Sequence, residues 1–293
     1  MKRLLVTGAA GMVGAYVADV FHDWQVVLTD IVGDVERLDV RDPDDVRRAV
    51  ARTAPDAVLH LAAETDVDAC EREPDRAHLT NALGTRYVAA ACQAADVPLV
   101  YVSTAGVFSG DKSEPYVESD VPRPLNRYAT AKLAGEIAVT ALVARHIIVR
   151  AGWMIGGGVR DKKFVGKVTE LIATGRSPLR AVNDAWGSPT HAKDLLVTVA
   201  RLVDAGHGGL YHVANAGSAT RYDVALVVRA ALRKEDVEVV PVASTDFPQT
   251  APRPRSEAVR CRALEALGMP LRPWREAVTE YVTQELAPRF PPV

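Results

Sequence analysis

The sequence is poor in cysteine and has no long uninterrupted apolar segment. Its three cysteines, Cys70, Cys92 and Cys261, are odd in number and widely scattered, which disfavours a disulfide framework and a paired set of metal ligands. The seven histidines form no i, i+4 pair with a carboxylate between them, so no metal site is expected. The longest apolar stretches, such as residues 99–108, fall well short of the ~20 residues that a bilayer span requires. We therefore expect no membrane partner.

An excess of charge of one sign is also missing. The chain has 35 Lys and Arg residues against 37 Asp and Glu residues, which gives a formal net charge of -2. Because no long basic run is present to neutralise a phosphate backbone, nucleic acid is not an expected partner. No cleavable signal is evident, since Met1, Lys2 and Arg3 lead straight into a short apolar segment and then a glycine. A cytoplasmic location is the resulting expectation.

The 293 residues are 48% hydrophobic and 25% charged, a composition typical of packed globular proteins. Nearly continuous β-branched and apolar runs alternate with helical patterns in the first half. The predicted strands are Arg3 to Thr7, Gln25 to Thr29, Ala57 to Leu61, Leu99 to Ser103 and Ile147 to Arg150. The predicted helices are Gly14 to Phe21, Pro43 to Arg52, Leu79 to Ala95 and Tyr128 to Ala144. This alternation predicts an α/β fold with a Rossmann-type, doubly wound parallel sheet.

Three glycines, Gly8, Gly11 and Gly14, lie where the first predicted strand meets the first predicted helix. Their spacing permits a tight turn, close approach of the backbone to a pyrophosphate, and close packing of helix on strand. Ala10 and Met12 belong to the same loop. An ordinary glycine turn is the alternative, but the context favours binding of a dinucleotide, NADH or NADPH.

Acidic and small residues follow the next strands. Asp30 ends the second predicted strand, about 20 residues after the glycine loop, where a carboxylate can bind the adenosine ribose hydroxyls. The alternative for Asp30 is a helix cap or a solvated turn carboxylate. Asp39 and Val40 follow a short run that is expected to pass under the adenine. Small side chains at Ala62 and Ala63 permit close approach of a ligand.

After about residue 152 the pattern loosens, with three consecutive glycines, several prolines and a proline/arginine-rich stretch from Pro248 to Arg255. A helix pattern at Ala192 to Val203 and a strand pattern at Gly209 to Val213 indicate that part of this half returns to the sheet. We therefore predict a dinucleotide-binding domain over residues 1–152 together with 186–213, and a smaller, discontinuous α/β substrate lobe over 153–185 and 214–293.

Tyr128 and Lys132 are four residues apart on a predicted helix, which puts the phenol and the ammonium on one face. A free tyrosine has a pKa near 10, so a fixed cation is expected to favour the phenolate and lower that pKa. A chance Tyr/Lys pair on a helix is common, however. Thr104 adds a hydroxyl at the carboxyl end of a strand, where open α/β sheets bind ligands. A strand-end hydroxyl that only satisfies backbone groups is the alternative for Thr104.

The sequence resembles the extended short-chain dehydrogenase/reductase superfamily over essentially its whole length. The glycine loop, the segment Asn81 to Thr85 and the YATAK motif at residues 128–132 carry this resemblance. Within that superfamily the sequence is most similar to the dTDP-4-dehydrorhamnose reductase family. The segments that carry this closer resemblance are HLAAETDVD at 60–68, PLN at 124–126, RAGW at 150–153, NDAWGSPT at 183–190 and RPR at 253–255.

That family reduces the C4 ketone of a deoxythymidine-diphosphate-linked 6-deoxyhexulose. The resemblance implies that Tyr128 donates the proton, that Lys132 is its partner and that Thr104 anchors the substrate carbonyl. It also implies a substrate side formed by Ala105, Trp153 and Arg253. The residues implied to bind NADH or NADPH are Gly8, Ala10, Gly11, Met12, Gly14, Asp30, Asp39, Val40, Ala62, Ala63, Glu64, Thr65, Val102, Tyr128 and Lys132.

Three positions depart from the family pattern. Where the family commonly has Thr-Asp-Tyr-Val-Phe, this chain has Thr104-Ala105-Gly106-Val107-Phe108, which removes an acid and an aromatic ring beside the substrate. Glu64 stands where a histidine is usual. The sugar is therefore left open, and reduction of another nucleotide sugar is an alternative.

Other functions share the fold, the glycine loop and the Tyr/Lys pair. A 4,6-dehydratase of the family pattern would carry Asp-Glu immediately after Thr104, and Ala105 and Gly106 cannot do that acid/base chemistry. A nucleotide-sugar 4-epimerase stays open. A non-catalytic dinucleotide-binding regulatory subunit also stays open, although intact Tyr128 and Lys132 argue against it.

The expected partners are a nucleotide-sugar substrate and, at most, a second copy of the chain. Some members of the family form a dimer bridged by magnesium through glutamates on the first helix and after a Gly-x-Pro-Thr segment. The matching positions here are Ala15 and Lys193, which offer no hard carboxylate oxygen to the ion. We therefore expect a monomer or a weak homodimer.

Overall fold

The computed structural model describes residues 1–247 and 249–290. Its strands are β1 (Arg3–Thr7), β2 (Gln25–Asp30), β3 (Glu36–Arg37), β4 (Ala57–His60), β5 (Leu99–Thr104), β6 (His146–Ala151), β7 (Trp153–Ile155), β8 (Leu179–Val182), β9 (Trp186–Gly187), β10 (Pro189–His191), β11 (Gly209–Val213), β12 (Ala219–Thr220), β13 (Val239–Val242) and β14 (Ser256–Glu257). Its α-helices are α1 (Val17–Val20), α2 (Pro43–Thr53), α3 (Val67–Arg72), α4 (Pro74–Ala77), α5 (Thr85–Ala94), α6 (Arg127–Leu142), α7 (Phe164–Ala173), α8 (Ala192–Asp204), α9 (Arg221–Ala231), α10 (Arg262–Ala266) and α11 (Trp274–Tyr281).

A parallel sheet forms the centre of the molecule. Its strand order is β11-β6-β5-β4-β1-β2-β3, and each neighbouring pair runs parallel. The chain moves outward from β1 through β2 to β3, and then returns to β4 on the other side of β1. Open α/β sheets bind ligands at the carboxyl ends of strands beside such a reversal. The predicted Rossmann-type, doubly wound sheet is confirmed.

Both faces of this sheet are covered by helices, which explains the continuous apolar strands in the sequence. Side chains alternate along β1, so Leu4 faces one side and Leu5 the other. Leu4 packs in a core that includes Leu195 of α8. Leu5 packs in a second core, which includes Val50 of α2 and Val88 of α5. These buried side chains keep the carboxyl edge of the sheet rigid beneath the loops.

Two predicted helices differ in their first turns. The segment expected to be a helix from Gly14 begins as a 3₁₀ turn over Val13–Tyr16 and becomes α-helical only at α1. The segment expected from Leu79 begins as a π-helical stretch over His78–Gly84 before α5. A π turn places an extra residue in the helix and occurs frequently at functional sites. Hydrophobic spacing alone did not indicate either irregular turn.

The second half of the described chain adds smaller sheets. β7 pairs with β10, β8 with β13, and β9 with both β12 and β14. α7, α9 and α11 share an apolar core that contains Ile172 and Val228. β11 pairs with β6 in the large sheet. The division into a dinucleotide-binding domain and a substrate lobe stays a prediction, and Pro248 and residues 291–293 lie outside the described ranges.

None of the helices in the described ranges is both long and apolar enough to cross a membrane.

Candidate active site

The glycine loop connects β1 to the first helical turn. Gly8 has a φ of +73°, and a Cβ on it would lie 2.4 Å from the backbone nitrogen of Ala62. A Cβ on Gly14 would lie 2.1 Å from the carbonyl oxygen of Ala9. Gly8 therefore makes the tight turn and Gly14 permits close packing, while Gly11 is exposed at the open side of the loop. This narrow backbone cradle fits a dinucleotide pyrophosphate, because side chains at these positions would fill it.

Asp30 at the end of β2 holds the loop from the other side. Its Oδ2 accepts a hydrogen bond of 3.0 Å from the amide of Ala10, and its Oδ1 accepts one of 2.6 Å from the amide of Ile31. Asp30 therefore organises both the glycine loop and its own turn. The side chain does not cap a helix. Its position beside the loop suits a carboxylate that binds the adenosine ribose.

The other cofactor candidates lie near this cradle. Asp39 is paired with Arg41, and this pairing holds the pKa of the Asp39 carboxyl below its usual range. Val40 is buried, and its Cγ2 would lie 3.1 Å from a Cβ on Gly84. The predicted adenine side is therefore built from a packed valine and a charge-paired aspartate.

A buried asparagine fixes the segment after β4. The Asn81 side chain accepts a hydrogen bond of 2.8 Å from the backbone amide of Glu64 and donates one of 2.9 Å to the backbone carbonyl oxygen of Glu64. Lys163 Nζ reaches the same segment, 3.1 Å from the carbonyl oxygen of Thr65. Burial lowers the pKa of Lys163 below its ordinary value. Ala63 to Thr65 are thus held from both halves of the chain.

The first helical turn is anchored to the end of the chain. The hydroxyl of Tyr16 donates a hydrogen bond of 2.7 Å to Glu285 Oε2 and accepts one of 2.6 Å from the amide of Gly157. Arg160 Nη1 also donates to the carbonyl oxygen of Ala9, at 3.1 Å. These contacts place a guanidinium against the carbonyls of the glycine loop.

The proposed catalytic helix, α6, is preceded by its N-cap residue, Asn126. The Asn126 side chain caps the helix by accepting a hydrogen bond of 2.9 Å from the amide of Ala129. Tyr128 therefore lies in the first turn and Lys132 one turn later. Lys132 is buried, and its Nζ donates a hydrogen bond of 2.7 Å to the carbonyl oxygen of Val102. Burial lowers the pKa of Lys132 to about 7, and the Glu136 carboxylate acts in the opposite direction.

The Tyr128 phenol has a raised pKa, which differs from the sequence-based expectation. Burial raises the pKa of Tyr128 well above its ordinary value, the neighbouring Thr104 hydroxyl acts against this, and the charge of Glu257 adds to it. The expectation that Lys132 lowers the phenol pKa was wrong for this arrangement, because burial dominates and raises that pKa. Tyr128 is therefore a protonated phenol at neutral pH.

A buried ion pair fixes α6 against the sheet. Arg150 of β6 donates to Glu136, with a shortest contact of 2.7 Å, and Ser103 donates to the same carboxylate at 2.6 Å. Removing one partner of such a pair is strongly destabilising, because the remaining charge is left buried. The contact therefore ties α6, which carries Tyr128, to β5, which carries Thr104.

The substrate side candidates lie on the second half of the chain. Trp153 Nε1 donates a hydrogen bond of 2.5 Å to Glu257 Oε2, and the Arg221 guanidinium lies 3.7 Å from the Trp153 ring centroid. Burial lowers the pKa of Arg221 to about 10, while Glu257 acts in the opposite direction. Arg253 is paired with Asp68 of α3 at 3.1 Å. Trp153 is thus held by polar contacts as well as by packing.

The sequence model of the family described as "RmlD substrate binding domain" matches residues 1–287 of this chain. The dTDP-4-dehydrorhamnose reductase of Mycolicibacterium smegmatis is 38% identical over 284 residues, which cover 96% of this chain and 85% of the relative. The chain belongs to the dTDP-4-dehydrorhamnose reductase family.

Other relatives in the family carry related names. The dTDP-4-keto-6-deoxy-D-glucose reductase of Streptomyces niveus is 35% identical and matches 95% of this chain and 96% of the relative. The crystal structure of the dTDP-4-dehydrorhamnose reductase of Bacillus anthracis, in complex with NADP, is similar with a TM-score of 0.90 and 33% identity. It covers 96% of this chain and 99% of the other.

Several polar residues of this family member were not singled out by the sequence. Four of them lie in loops, helix starts or a two-residue strand that lack a motif of fixed spacing: Arg160, Lys163, Arg221 and Glu257. Each meets the first half of the chain or Trp153 only in the folded protein. Asn81 lay in a segment that carried the resemblance, but its hydrogen bonds to Glu64 were not predicted.

Proposed function

We propose that this protein reduces the C4 ketone of a nucleotide-linked 4-keto-6-deoxy sugar, with NADH or NADPH as the reductant. The observation that carries the proposal is that the Tyr128 phenol, in the first turn of α6, lies near the Thr104 hydroxyl at the carboxyl end of β5, with the buried Lys132 one turn further along α6. Membership of the family supports the same reaction. Nucleotide sugars and dinucleotides are both metabolites of the cytoplasm. We therefore propose a cytoplasmic location together with this function.

The cofactor fits the glycine cradle described above. The loop that Gly8, Gly11 and Gly14 shape would hold its pyrophosphate, Asp30 would bind its adenosine ribose, and Lys132 its nicotinamide ribose. When bound, NADH or NADPH supplies a hydride to the substrate carbon. The remaining requirements of the reaction, a proton and a stabilised oxyanion, are met by side chains of the protein.

Tyr128 supplies the proton to the ketone oxygen. Since burial raises its pKa, the phenol is protonated at the pH of the reaction and acts as a general acid. Negative charge develops on the ketone oxygen as the carbon is reduced, and the hydroxyls of Tyr128 and Thr104 both donate to that oxygen. Positioned donors of this kind are worth most in a site from which water is excluded.

The second half of the chain supplies cations for an anionic substrate. Arg221, Lys163 and Arg253 carry positive charge near Trp153 and the segment after β4. A nucleoside diphosphate carries negative charge that these groups complement, and Trp153 would form a wall beside the sugar. Ala105 is buried beside Thr104, so it contributes shape rather than charge.

A panel of nucleotide 4-keto sugars tests the proposal. The purified protein is mixed with NADH or NADPH and each sugar, and oxidation is followed by absorbance. Stoichiometric consumption of the reductant with formation of a C4 alcohol is expected. An epimerase would instead hold tightly bound NAD and interconvert C4 epimers without added reductant. Absence of turnover with every sugar would favour a regulatory subunit and overturn the proposal.

A further inference from the structure

Gly106 has no side chain, and the carboxylate of Glu257 lies in the space that a side chain there would fill. A Cβ on Gly106 would lie 2.9 Å from Glu257 Oε1 and 3.3 Å from Thr104 Oγ1. The first distance is shorter than real Cβ contacts allow, so the carboxylate occupies the volume that any larger residue would need. Ala105 and Gly106 bring no polar group of their own to this side of the site.

Glu257 is fixed in this position from two directions. Its backbone belongs to β14, which pairs with β9 so that Glu257 lies opposite Gly187. Its Oε2 accepts the 2.5 Å hydrogen bond from Trp153 Nε1. Its charge acts on both Tyr128 and Arg221. The carboxylate is therefore held at the catalytic end of the cleft.

The two carboxylate oxygens have different surroundings. Among the residues that the structure describes, Oε2 is bonded to Trp153, whereas none donates a hydrogen bond to Oε1. In the same ranges no ion pair within 4.0 Å joins Glu257 to Arg221 or any other cation. Oε1 lies on the side of Gly106 and Thr104, where the proposed function would bind the ketone. The Oε1 atom of the Glu257 carboxylate is therefore suited to accept a hydrogen bond from an uncharged group of the ligand, such as a hydroxyl.

We infer that Glu257 is a specificity-determining residue, whose Oε1 accepts a hydrogen bond from the sugar hydroxyl next to the ketone. This inference rests on the proposed function. In a 4-keto-6-deoxyhexose, C4 is flanked by C5, which carries the ring oxygen and a methyl group, and by C3, which carries a hydroxyl. The C3 hydroxyl is therefore the donor adjacent to the oxygen that Thr104 and Tyr128 bind.

The hydrogen bond predicts discrimination between substrates. A hydrogen bond to a charged group contributes about 1.5–3 kcal/mol, which corresponds to about 10- to 150-fold in kcat/KM. A site with a buried acceptor also rejects an analogue that lacks the donor, because the acceptor is then left unpaired. The enzyme should therefore prefer a 3-hydroxy substrate over its 3-deoxy counterpart by this factor.

The test measures kcat/KM for a nucleotide 4-keto-6-deoxy sugar and its 3-deoxy analogue. Wild type should favour the 3-hydroxy sugar about 10- to 150-fold, and Glu257→Ala should bring the ratio close to one. Glu257→Gln keeps a neutral acceptor and should give an intermediate ratio. The exposed Glu276 is a matched control, since Glu276→Ala removes a carboxylate on α11 and should change neither value.

A second variant leaves Glu257 intact. Gly106→Ala places a methyl group against Oε1, displaces the carboxylate and should lower the same ratio, which keeps the test informative if Glu257→Ala does not fold. Equal loss on both sugars in these variants would mean that Glu257 only supports Trp153, and the inference would be wrong. A wild type that turns over both sugars without preference also overturns it. Failure of the proposed function is distinct, since then neither sugar is reduced.

Discussion

Lys132 Nζ lies 2.7 Å from the carbonyl oxygen of Val102 and donates a hydrogen bond to it. This contact ties α6 to the carboxyl-terminal part of β5. The ammonium also lies 4.2 Å from the Tyr101 ring centroid. Lys132 therefore has a structural contact in addition to its proposed part in catalysis. Separate substitutions of Tyr128 and Lys132 distinguish the effects of the two residues on turnover and on cofactor affinity.

Tyr128→Phe should abolish ketone reduction and leave cofactor affinity nearly intact. The ring is kept, and only the transferable proton is lost. Positioned proton transfer typically contributes 10²–10⁴-fold, so kcat should fall at least ~10²-fold. Stopped-flow turnover and fluorescence titration with NADH or NADPH measure the two quantities. Near-normal turnover would sink the proposed mechanism.

Lys132→Met should lower activity and cofactor affinity together. The change removes the proposed ribose contact and the observed bond to Val102 in one step, while the methionine chain preserves most of the buried volume. The same titration and turnover assays apply, with circular dichroism as the check on folding. Unchanged cofactor affinity would show that Lys132 does not contact the nicotinamide ribose.

NADH should be used at least as well as NADPH. The Asp30 carboxylate lies beside the amide of Ala10, where it favours a free ribose 2′-hydroxyl and repels a 2′-phosphate. Arg37 is the nearby cation that could offset this, since its Nη1 binds the carbonyl oxygen of Ile31 at 3.1 Å, whereas Arg41 is held by Asp39. The Bacillus anthracis relative was solved with NADP, which makes the comparison informative.

The measurement is kcat/KM for each cofactor at saturating sugar. An NADPH preference above about 100-fold, or roughly 2.7 kcal/mol, would contradict the prediction. Arg37→Ala is the control, because it should remove any such preference if Arg37 binds the phosphate.

Magnesium should not hold a dimer together. Ala15 and the exposed Lys193 stand where bridging glutamates are expected, and the described part of the chain contains no group of three His, Cys, Asp or Glu residues that could hold a metal ion. Sedimentation velocity with and without magnesium tests this. A dimer that dissociates on chelation of magnesium would contradict it.

Stability should fall in weak acid because of His60. Its ring nitrogens lie 2.7 Å from Thr7 Oγ1 and 3.0 Å from Thr85 Oγ1, and burial, with a smaller effect of Lys132, lowers its pKa to about 3. The unfolded chain, with a histidine pKa near 6.5, then binds more protons than the folded chain between about pH 6.5 and 3. The free energy of unfolding should therefore decrease as pH falls through that window, by up to ~1.4 kcal/mol per unit from this residue.

Urea unfolding of wild type and His60→Gln between pH 5 and 7.5 measures this slope. The variant should be less stable at pH 7.5. Its free energy of unfolding should depend less steeply on pH, by the slope that corresponds to about one bound proton. The slope should not vanish, because burial also lowers the pKa of His212, to about 4. Identical slopes for the two proteins would show that His60 is charged in the folded state.

The first half of the fold could be predicted because its signals are local. The β1 strand has the predicted bounds, and α6 differs from its prediction by one residue at the start and two at the end. Gly8 and Gly14 have the close backbone contacts that their spacing indicated. Patterns of this kind depend on neighbours in sequence, which propensity and periodicity describe well.

The rest of the site depends on contacts that no local pattern encodes. Glu257 meets Trp153 across 104 residues, and Arg160 meets Ala9 across 151. The raised pKa of Tyr128 comes from burial, which a helical Tyr/Lys spacing does not report. The short strands of the second half, such as β9 and β14, are two residues long and give no periodic signal.

The hydrogen bond from Tyr16 to Glu285 joins residues 269 positions apart. Proteins are synthesised from the amino terminus, and their domains generally fold as units in that order. The glycine loop leaves the ribosome early, but the turn that follows it gains this partner only after Glu285 has been translated. During synthesis, the turn after the glycine loop therefore lacks its Glu285 contact until 269 further residues have been added.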